Sequence, residues 1–204
     1  MNRLSLIKPF IKTNIFDKCF ISSITDDSRD VQKNSLFVAR QGLGSHGNKY
    51  IDEAIQRGAS CIISDQSIEK EIDIPIYCLN NLEDQILEIL LRFHELSADN
   101  FIFHGVKGTN GKTTVTKLSE SILSRSFKTS STIGNYNNEI GLPLSILNAS
   151  QETEKCIYEH GASKKNDISY LTKISQPDLT TLLNVSEAHM ESFKSMENLI
   201  QTKE

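Results

Sequence analysis

Short apolar runs alternate with amphipathic stretches along most of this chain. Residues 35–39 (SLFVA), 60–64 (SCIIS) and 75–79 (PIYCL) are continuous apolar runs of strand length and read as buried strands. Between the first two, NKYIDEAIQRGA (48–59) puts Ile51, Ala54, Ile55 and Ala59 on one helical face, with Gly58 at its end. NNLEDQILEILLRFHEL (80–96) then sets Leu82, Ile86, Ile89, Leu90, Phe93 and Leu96 at helical spacing, with Asn80 or Asn81 as N-cap. The polar stretch Ser97–Asn100 predicts a domain boundary, which gives domains 1–98 and 99–204. The second half restarts with a strand at 101–106. A glycine-rich loop follows, then a helix from Thr113 with Val115, Leu118, Ile122 and Leu123 on one face. Residues 155–159 and 179–184 read as further strands with a helix near 166–175 between them, so three strands of a second sheet are clear. Strands alternating with helices predict an α/β fold built on mostly parallel sheets covered on both faces. In such sheets ligands gather at the carboxyl ends of the strands.

Composition narrows the function classes. The 204 residues are 38% hydrophobic and 24% charged with a net charge of −4, as in an ordinary globular protein with no basic surplus for nucleic acid. No apolar run approaches the ~18–20 residues that span a bilayer, and MNRLSLIKPFIKTN carries no secretory cleavage pattern. Cys19, Cys61, Cys78 and Cys156 are scattered without a C-x-x-C pair, which argues against zinc and a disulfide framework and for a reducing, cytoplasmic setting. There is no internal repeat or low-complexity tract.

The candidate chemistry lies in HGVKGTNGKTTVTK (104–117). A strict phosphate loop, G-x-x-x-x-G-K-[ST], would need glycine where Val106 stands, but the working parts are in order behind the strand. Gly108 and Gly111 allow the backbone to turn its amides inward, Lys112 can reach the β- and γ-phosphates, and Thr113 can offer its hydroxyl to Mg²⁺. The helix that starts there points its positive end at the anion. The amides from Gly108 through Thr109, Asn110, Gly111, Lys112 and Thr113 to Thr114 are therefore expected to curl around a polyphosphate.

GVKGTNGKTT resembles the loop of the Mur ligases, G-x-[TS]-G-[TS]-N-G-K-[TS]-[TS]; these are ATP-dependent amide-forming enzymes of peptidoglycan precursor synthesis. Lys107 departs from the family's small hydroxyl residue and either adds a cation near the phosphates or projects into solvent. Residues 25–59 resemble the family's nucleotide-sugar-binding N-terminal domain, which implies that Asp27, Ser28 and Arg29 contact the UDP portion of a substrate. By themselves these three residues read as a turn with a local ion pair. The triplet His46-Gly47-Asn48 stands where the family tends to have D-G-H.

GNYNNEIGLPLSIL (134–147) resembles the members that add D-alanyl-D-alanine to a UDP-linked tripeptide, which implies Asn137 and Asn138 near the acceptor and the γ-phosphate. Without the resemblance it is an asparagine-rich turn before a helix that starts near Leu142 with Pro143 in its first turn. CIYEHGASKKNDISYL (156–171) resembles the same members and implies Glu159 as a Mg²⁺ ligand; otherwise Glu159 is a strand-end carboxylate facing solvent. Residues 182–204 resemble the segment in which His189 ligates a second Mg²⁺ and Lys203 is carbamylated, where the bland readings are a structural histidine and a solvated lysine. His46, His94, His104 and His160 lack metal-like spacing and read as structural. Residues 75–114 match equally well the members that add the third amino acid.

The resemblance implies a small UDP-binding α/β domain followed by an incomplete ATP-binding parallel-sheet domain, without the family's C-terminal ligase domain. It implies ATP and Mg²⁺ as cofactors and Lys112, Glu159, His189 and Lys203 as catalytic groups. UDP-MurNAc-peptide and D-Ala-D-Ala, or a single amino acid, are the implied substrates. A chain of this content is expected not to complete ligation alone, and a complementing C-terminal chain is the implied partner. The alternatives are another ATP-dependent ligase, such as a folylpolyglutamate synthase, or a non-catalytic nucleotide-binding module.

Overall fold

The computed structural model describes residues 20–42, 44–82, 84–86, 88–90, 102–150, 152–162, 167–186, 195 and 200. The chain divides into two compact units, Met1–Phe93 and His94–Glu204. Among the described residues no helix is long and apolar enough to cross a membrane.

The first unit holds a four-stranded sheet in the order β1-β2-β3-β4, with β1 at Ser23–Thr25, β2 at Ser35–Ala39, β3 at Ala59–Ser64 and β4 at Ile76–Cys78. Every pairing is parallel, and β2 is buried at each position, as a continuous apolar run demands. A 3₁₀ turn, Gly47–Tyr50, leads into α1 (Ile51–Arg57), which ends at Gly58. Ile51 and Ala54 on α1 pack with Val31, Phe37, Ala39, Ala59 and Ile62 in the core. Residues 82, 84–86 and 88–90 are helical and bury Leu82, Ile86, Ile89 and Leu90. Strand β1 gave little hydrophobic signal because Ile24 is its one apolar core residue, flanked by hydroxyl side chains: Ser23 lies in register with Ser35, and their hydroxyls bond at 2.7 Å.

In the second unit the order is β6-β7-β5-β8, again all parallel, from β5 (Ile102–Lys107), β6 (Thr129–Ser131), β7 (Lys155–His160) and β8 (Leu179–Leu182). Helices α2 (Lys112–Leu123), α3 (Gly141–Leu147) and α4 (Asp167–Ser175) connect them. Among the described residues the sheet thus has four strands where three were expected. The additional one, β6, is the polar triplet Thr-Ser-Ser, which pairs with β7 and bonds Ser130 Oγ to the Tyr158 hydroxyl at 2.8 Å. Helix α3 is apolar or small all round and is buried at every position, with Pro143 in its first turn.

The inward face of α2 differs from the expected one. Leu118 and Ile122 are 58% and 65% exposed, while Thr116 is fully buried and the helix packs on β5, β6 and β7. The glycine loop and the close approach to the sheet set the rotation of this helix, and its apolar stripe does not.

Lys107 does not project into solvent: it ends β5 at 8% exposure, in register with His160 on β7. His160 is fully buried, and a Cβ on Gly105 would come within 2.7 Å of its ring, so glycine at 105 makes the room. The Ser175 hydroxyl donates to the Leu171 carbonyl, so its oxygen accepts from His160 Nε2–H at 2.9 Å, leaving Nδ1 buried with no partner. Burial, assisted by the Lys107 charge, lowers the imidazole pKa to about 4.

The unfolded chain takes up this proton near the ordinary value of 6.5, whereas the folded chain holds it off until about 4. Stability should therefore fall as pH drops through that interval, by up to roughly 3 kcal/mol from this group. Urea unfolding of wild type and His160→Gln at pH 7 and at about pH 4.5 checks this. The variant should lose distinctly less stability on acidification, and equal losses would contradict the assignment.

Candidate active site

The carboxyl ends of β5, β6, β7 and β8 face one edge of the second sheet, and the loops that leave them carry the polar residues singled out in the sequence. After β5 the chain passes through Gly108 and Gly111, both in left-handed backbone geometry at φ 151° and 84°. It then enters α2, which has no side-chain cap. The first intrahelical bond runs from the Val115 amide to the Gly111 carbonyl at 2.9 Å. The amides of Gly111, Lys112, Thr113 and Thr114 are the set a helix leaves unpaired at its start, and they form the positive end of its dipole.

The two preceding amides are already committed. Thr109 donates to the Asn184 carbonyl and Asn110 donates to Asn184 Oδ1, each at 3.0 Å. Asn184 Nδ2 returns a bond to the Asn110 carbonyl at 2.9 Å. The Thr109 hydroxyl donates to the Ser186 carbonyl at 3.1 Å and accepts from the Ser186 amide at 3.0 Å. The amide cradle expected over 108–114 is thus narrowed: 109 and 110 hold the loop to the segment after β8, and 111–114 remain open. Asn184 and Ser186 were not marked in the sequence. The signal available was their place at the end of the predicted strand 179–184 and just past it.

Lys112 folds over the loop, donating to the carbonyls of Gly108 at 2.9 Å and Thr109 at 3.1 Å. The Thr113 hydroxyl donates to Glu159 Oε2 at 3.2 Å. Glu159 is 3% exposed, so it is not a solvent-facing strand end, and its amide donates to the Thr132 hydroxyl at 2.7 Å. A hydroxyl and a carboxylate brought together beside a phosphate loop are hard oxygen donors that suit Mg²⁺. Among the described residues no group of three His, Cys, Asp or Glu gathers to hold a metal.

A cavity of about 300 Å³ opens next to Lys112 and is lined by Asn137 and Asn138, with Glu139, Gly161, Asp167 and Tyr170 among its other walls. Asn138 Oδ1 accepts from the amides of Gly141 at 2.8 Å and Ile140 at 3.3 Å, so the side chain fixes the entry to α3. The Gly161 amide donates to the Asn137 carbonyl at 2.8 Å, and a Cβ at 161 would lie 2.8 Å from that oxygen and from Oδ1. Glycine after β7 is therefore what lets the two loops close on one another. Three residues expected at the site, Lys112, Asn137 and Asn138, meet in this cavity, and Thr113 and Glu159 meet each other. His189 and Lys203 lie outside the described residues.

In the first unit, Asp27, Ser28 and Arg29 form the local arrangement that the residues alone suggested. Asp27 accepts from the Arg29 amide and from Arg29 Nε, both at 2.9 Å, and this pairing holds its carboxyl below the usual range. Ser28 Oγ donates to Glu53 Oε2 at 2.7 Å. A separate cavity of about 320 Å³ in this unit is lined by Arg40, Gln41, Asp65, Asn81, Leu82 and Asp84. Arg40, just past β2, is held by Asp26 through Nε at 2.9 Å, and Asp65, just past β3, bonds His46. His46 Nδ1 accepts from the Asn48 amide at 3.0 Å, and His104 Nε2 bonds the Thr181 hydroxyl at 2.8 Å, both structural uses.

The family model described as the Mur ligase middle domain matches residues 106–204, and that described as the Mur ligase family, catalytic domain, matches residues 20–89. The chain belongs to the Mur ligase family. It is 33% identical over 177 residues to the UDP-N-acetylmuramoyl-tripeptide–D-alanyl-D-alanine ligase of Rickettsia prowazekii, covering 87% of this chain and 39% of that one. Among solved structures it is similar to the MurF ligase of Thermotoga maritima in complex with ADP. There the TM-score is 0.73 and the identity 34%, over 89% of this chain and 42% of that one. It is similar also to the UDP-N-acetylmuramoylalanyl-D-glutamyl-2,6-diaminopimelate–D-alanyl-D-alanyl ligase of Acinetobacter baumannii, with a TM-score of 0.76 and 27% identity over 91% and 40% of the two chains. The chain spans about two fifths of the length of these Mur ligases.

The Asn184 brace makes a measurable difference between neighbouring amides. In Asn184→Ala the Asn110 amide loses its acceptor, and its hydrogen exchange should accelerate by about tenfold. The Thr109 amide, bonded to a backbone carbonyl, should change less. Site-resolved exchange by NMR checks this, and an unchanged Asn110 would contradict the brace.

Proposed function

We propose that this chain supplies the substrate-binding and ATP-binding parts of a ligase that joins D-alanyl-D-alanine to UDP-MurNAc-tripeptide. Residues 1–98 take the nucleotide-sugar portion and residues 99–204 take ATP. The observation that carries the reading is the meeting of the phosphate-loop lysine Lys112 with Asn137 and Asn138 in one cavity, beside the bonded pair Thr113 and Glu159. The relatives' names supply the substrates, and the ADP complex of the Thermotoga relative supports nucleotide use. Arg40 in the cavity of the first unit adds a cation suited to a diphosphate, and the scattered cysteines suit the cytoplasm.

In this reading the amides of Gly111–Thr114 and the Lys112 ammonium hold the phosphates. Thr113 and Glu159 hold Mg²⁺, which when bound neutralises phosphate charge. The substrate carboxylate attacks the γ-phosphate and ADP leaves, giving an acyl phosphate; the amine of D-Ala-D-Ala then attacks its carbonyl, and phosphate and a proton leave as the amide forms. Positioning and charge carry such a reaction, so no protein nucleophile is required. Asn137 and Asn138 orient the acceptor. The relatives are more than twice as long as the matched region, and ligation is assigned to this chain together with the remaining domain, in the same or another polypeptide.

Calorimetric titration with ATP tests the reading. Wild type should bind more tightly with Mg²⁺ than without. Lys112→Ala should weaken binding by about tenfold or more, and Thr113→Val should remove most of the Mg²⁺ dependence. ATP affinity unaffected by Lys112→Ala would contradict it.

A further inference from the structure

Each backbone carbonyl from Lys107 to Gly111 has a donor. The Leu183 amide donates to the Lys107 carbonyl at 3.0 Å and the Val115 amide to that of Gly111 at 2.9 Å, while Lys112 Nζ bonds those of Gly108 and Thr109. The Asn110 carbonyl accepts from Asn184 Nδ2 at 2.9 Å, and Asn184 Oδ1 accepts from the Asn110 amide at 3.0 Å. One side-chain amide thus pairs with both backbone groups of one residue, as a neighbouring strand would. The loop lies flush on this segment: a Cβ on Gly108 would stand 3.3 Å from the Asn184 amide nitrogen and carbonyl oxygen. The Asn110 carbonyl and the Gly111 amide belong to one peptide plane, in which they point in opposite directions. Fixing that carbonyl on Asn184 therefore fixes the direction of the Gly111 N–H, the first of the four amides open at the start of α2. Gly111 stands at φ 84° without a Cβ, so its own side of the plane offers little resistance to rotation.

We propose that Asn184 is a positioning residue for the nucleotide phosphates: through the peptide plane between residues 110 and 111 it holds the Gly111 amide toward the anion without touching the ligand. The proposal rests on the nucleotide-binding reading above. Lys112 leaves its two carbonyls to reach a phosphate, whereas Asn184 stays on Asn110 and keeps the plane from turning over. The pairing needs a donor and an acceptor on one short planar group, which asparagine supplies. Aspartate keeps the acceptor for the Asn110 amide and lacks the donor for its carbonyl. A brace that served only the stability of the loop would change the melting temperature and leave the affinity of the folded chain alone, and that separates the two roles.

The test titrates ADP into the ¹⁵N-labelled chain, wild type and Asn184→Ala, with melting temperatures measured alongside. Asn184 is exposed, so the variant should melt close to wild type. Its ADP affinity should nevertheless fall by about tenfold. The Gly111 amide should lose most of its shift on ADP binding, while Thr113 and Thr114 still respond. Should the alanine variant fail to fold, Asn184→Asp replaces it and should lose the same Gly111 response for want of the donor. A folded variant that binds ADP as tightly as wild type overturns the proposal and leaves the nucleotide-binding reading in place. So does a Gly111 response that matches wild type in either variant, or a Gly111 amide that ADP fails to move in wild type. Failure of wild type to bind ADP at all overturns that reading and this inference together.

Discussion

The start of α2 is the constraint on which the second unit turns. A helix whose first amides lack a cap needs either water or an anion there, and in this chain the sequence turns those amides outward with Gly111 in left-handed geometry. The parallel sheet fixes where that happens. Because β5, β6, β7 and β8 all run the same way, the loops bearing Lys112, Asn137, Glu159 and Asn184 are delivered to one edge. The Thr109 hydroxyl and the amides of Thr109 and Asn110 tie the loop to Asn184 and Ser186 in the segment after β8.

The same edge explains the less usual features of the chain. Lys107 sits buried at the foot of the loop, and the imidazole of His160 beside it is kept neutral by desolvation and by that ammonium. Two adjacent cations in the floor of the site would strain the contact between β5 and β7, so a histidine that resists protonation suits its neighbour. Glycine at 105 leaves room for its ring, and glycine at 161 lets the loop after β7 approach Asn137. Each of these positions serves the geometry of the strand ends.

Much of the fold was legible because buried parallel strands are written as unbroken apolar runs. SLFVA and SCIIS became β2 and β3, and the helix after Gly111 began at Lys112, one residue before the expected Thr113. What escaped was polar. Ser23–Thr25 and Thr129–Ser131 are three-residue strands recruited by their neighbours, with hydroxyl bonds where apolar side chains would signal. The buried face of α2 escaped for a related reason: Thr116 is inside and Leu118 outside, the reverse of what periodicity alone selects. At the site, Lys112, Thr113, Glu159, Asn137 and Asn138 could be named from motif spacing. Glu139, Asp167 and Asn184 became visible only when loops distant in sequence were brought to one edge. In the first unit, Ser28 and Arg29 spend their side chains on Glu53 and Asp27, while the cavity belongs to Arg40 and Asp65.

The proposed function has a polyphosphate held by the amides of Gly111, Lys112, Thr113 and Thr114, while those of Thr109 and Asn110 stay bound to Asn184. Titration of the ¹⁵N-labelled chain with ADP, followed through backbone amide shifts, tests this most directly. The largest displacements are expected at residues 111–114, with 109 and 110 moving little. The largest shifts at 109 and 110, or none along the loop at saturating ADP, would contradict it.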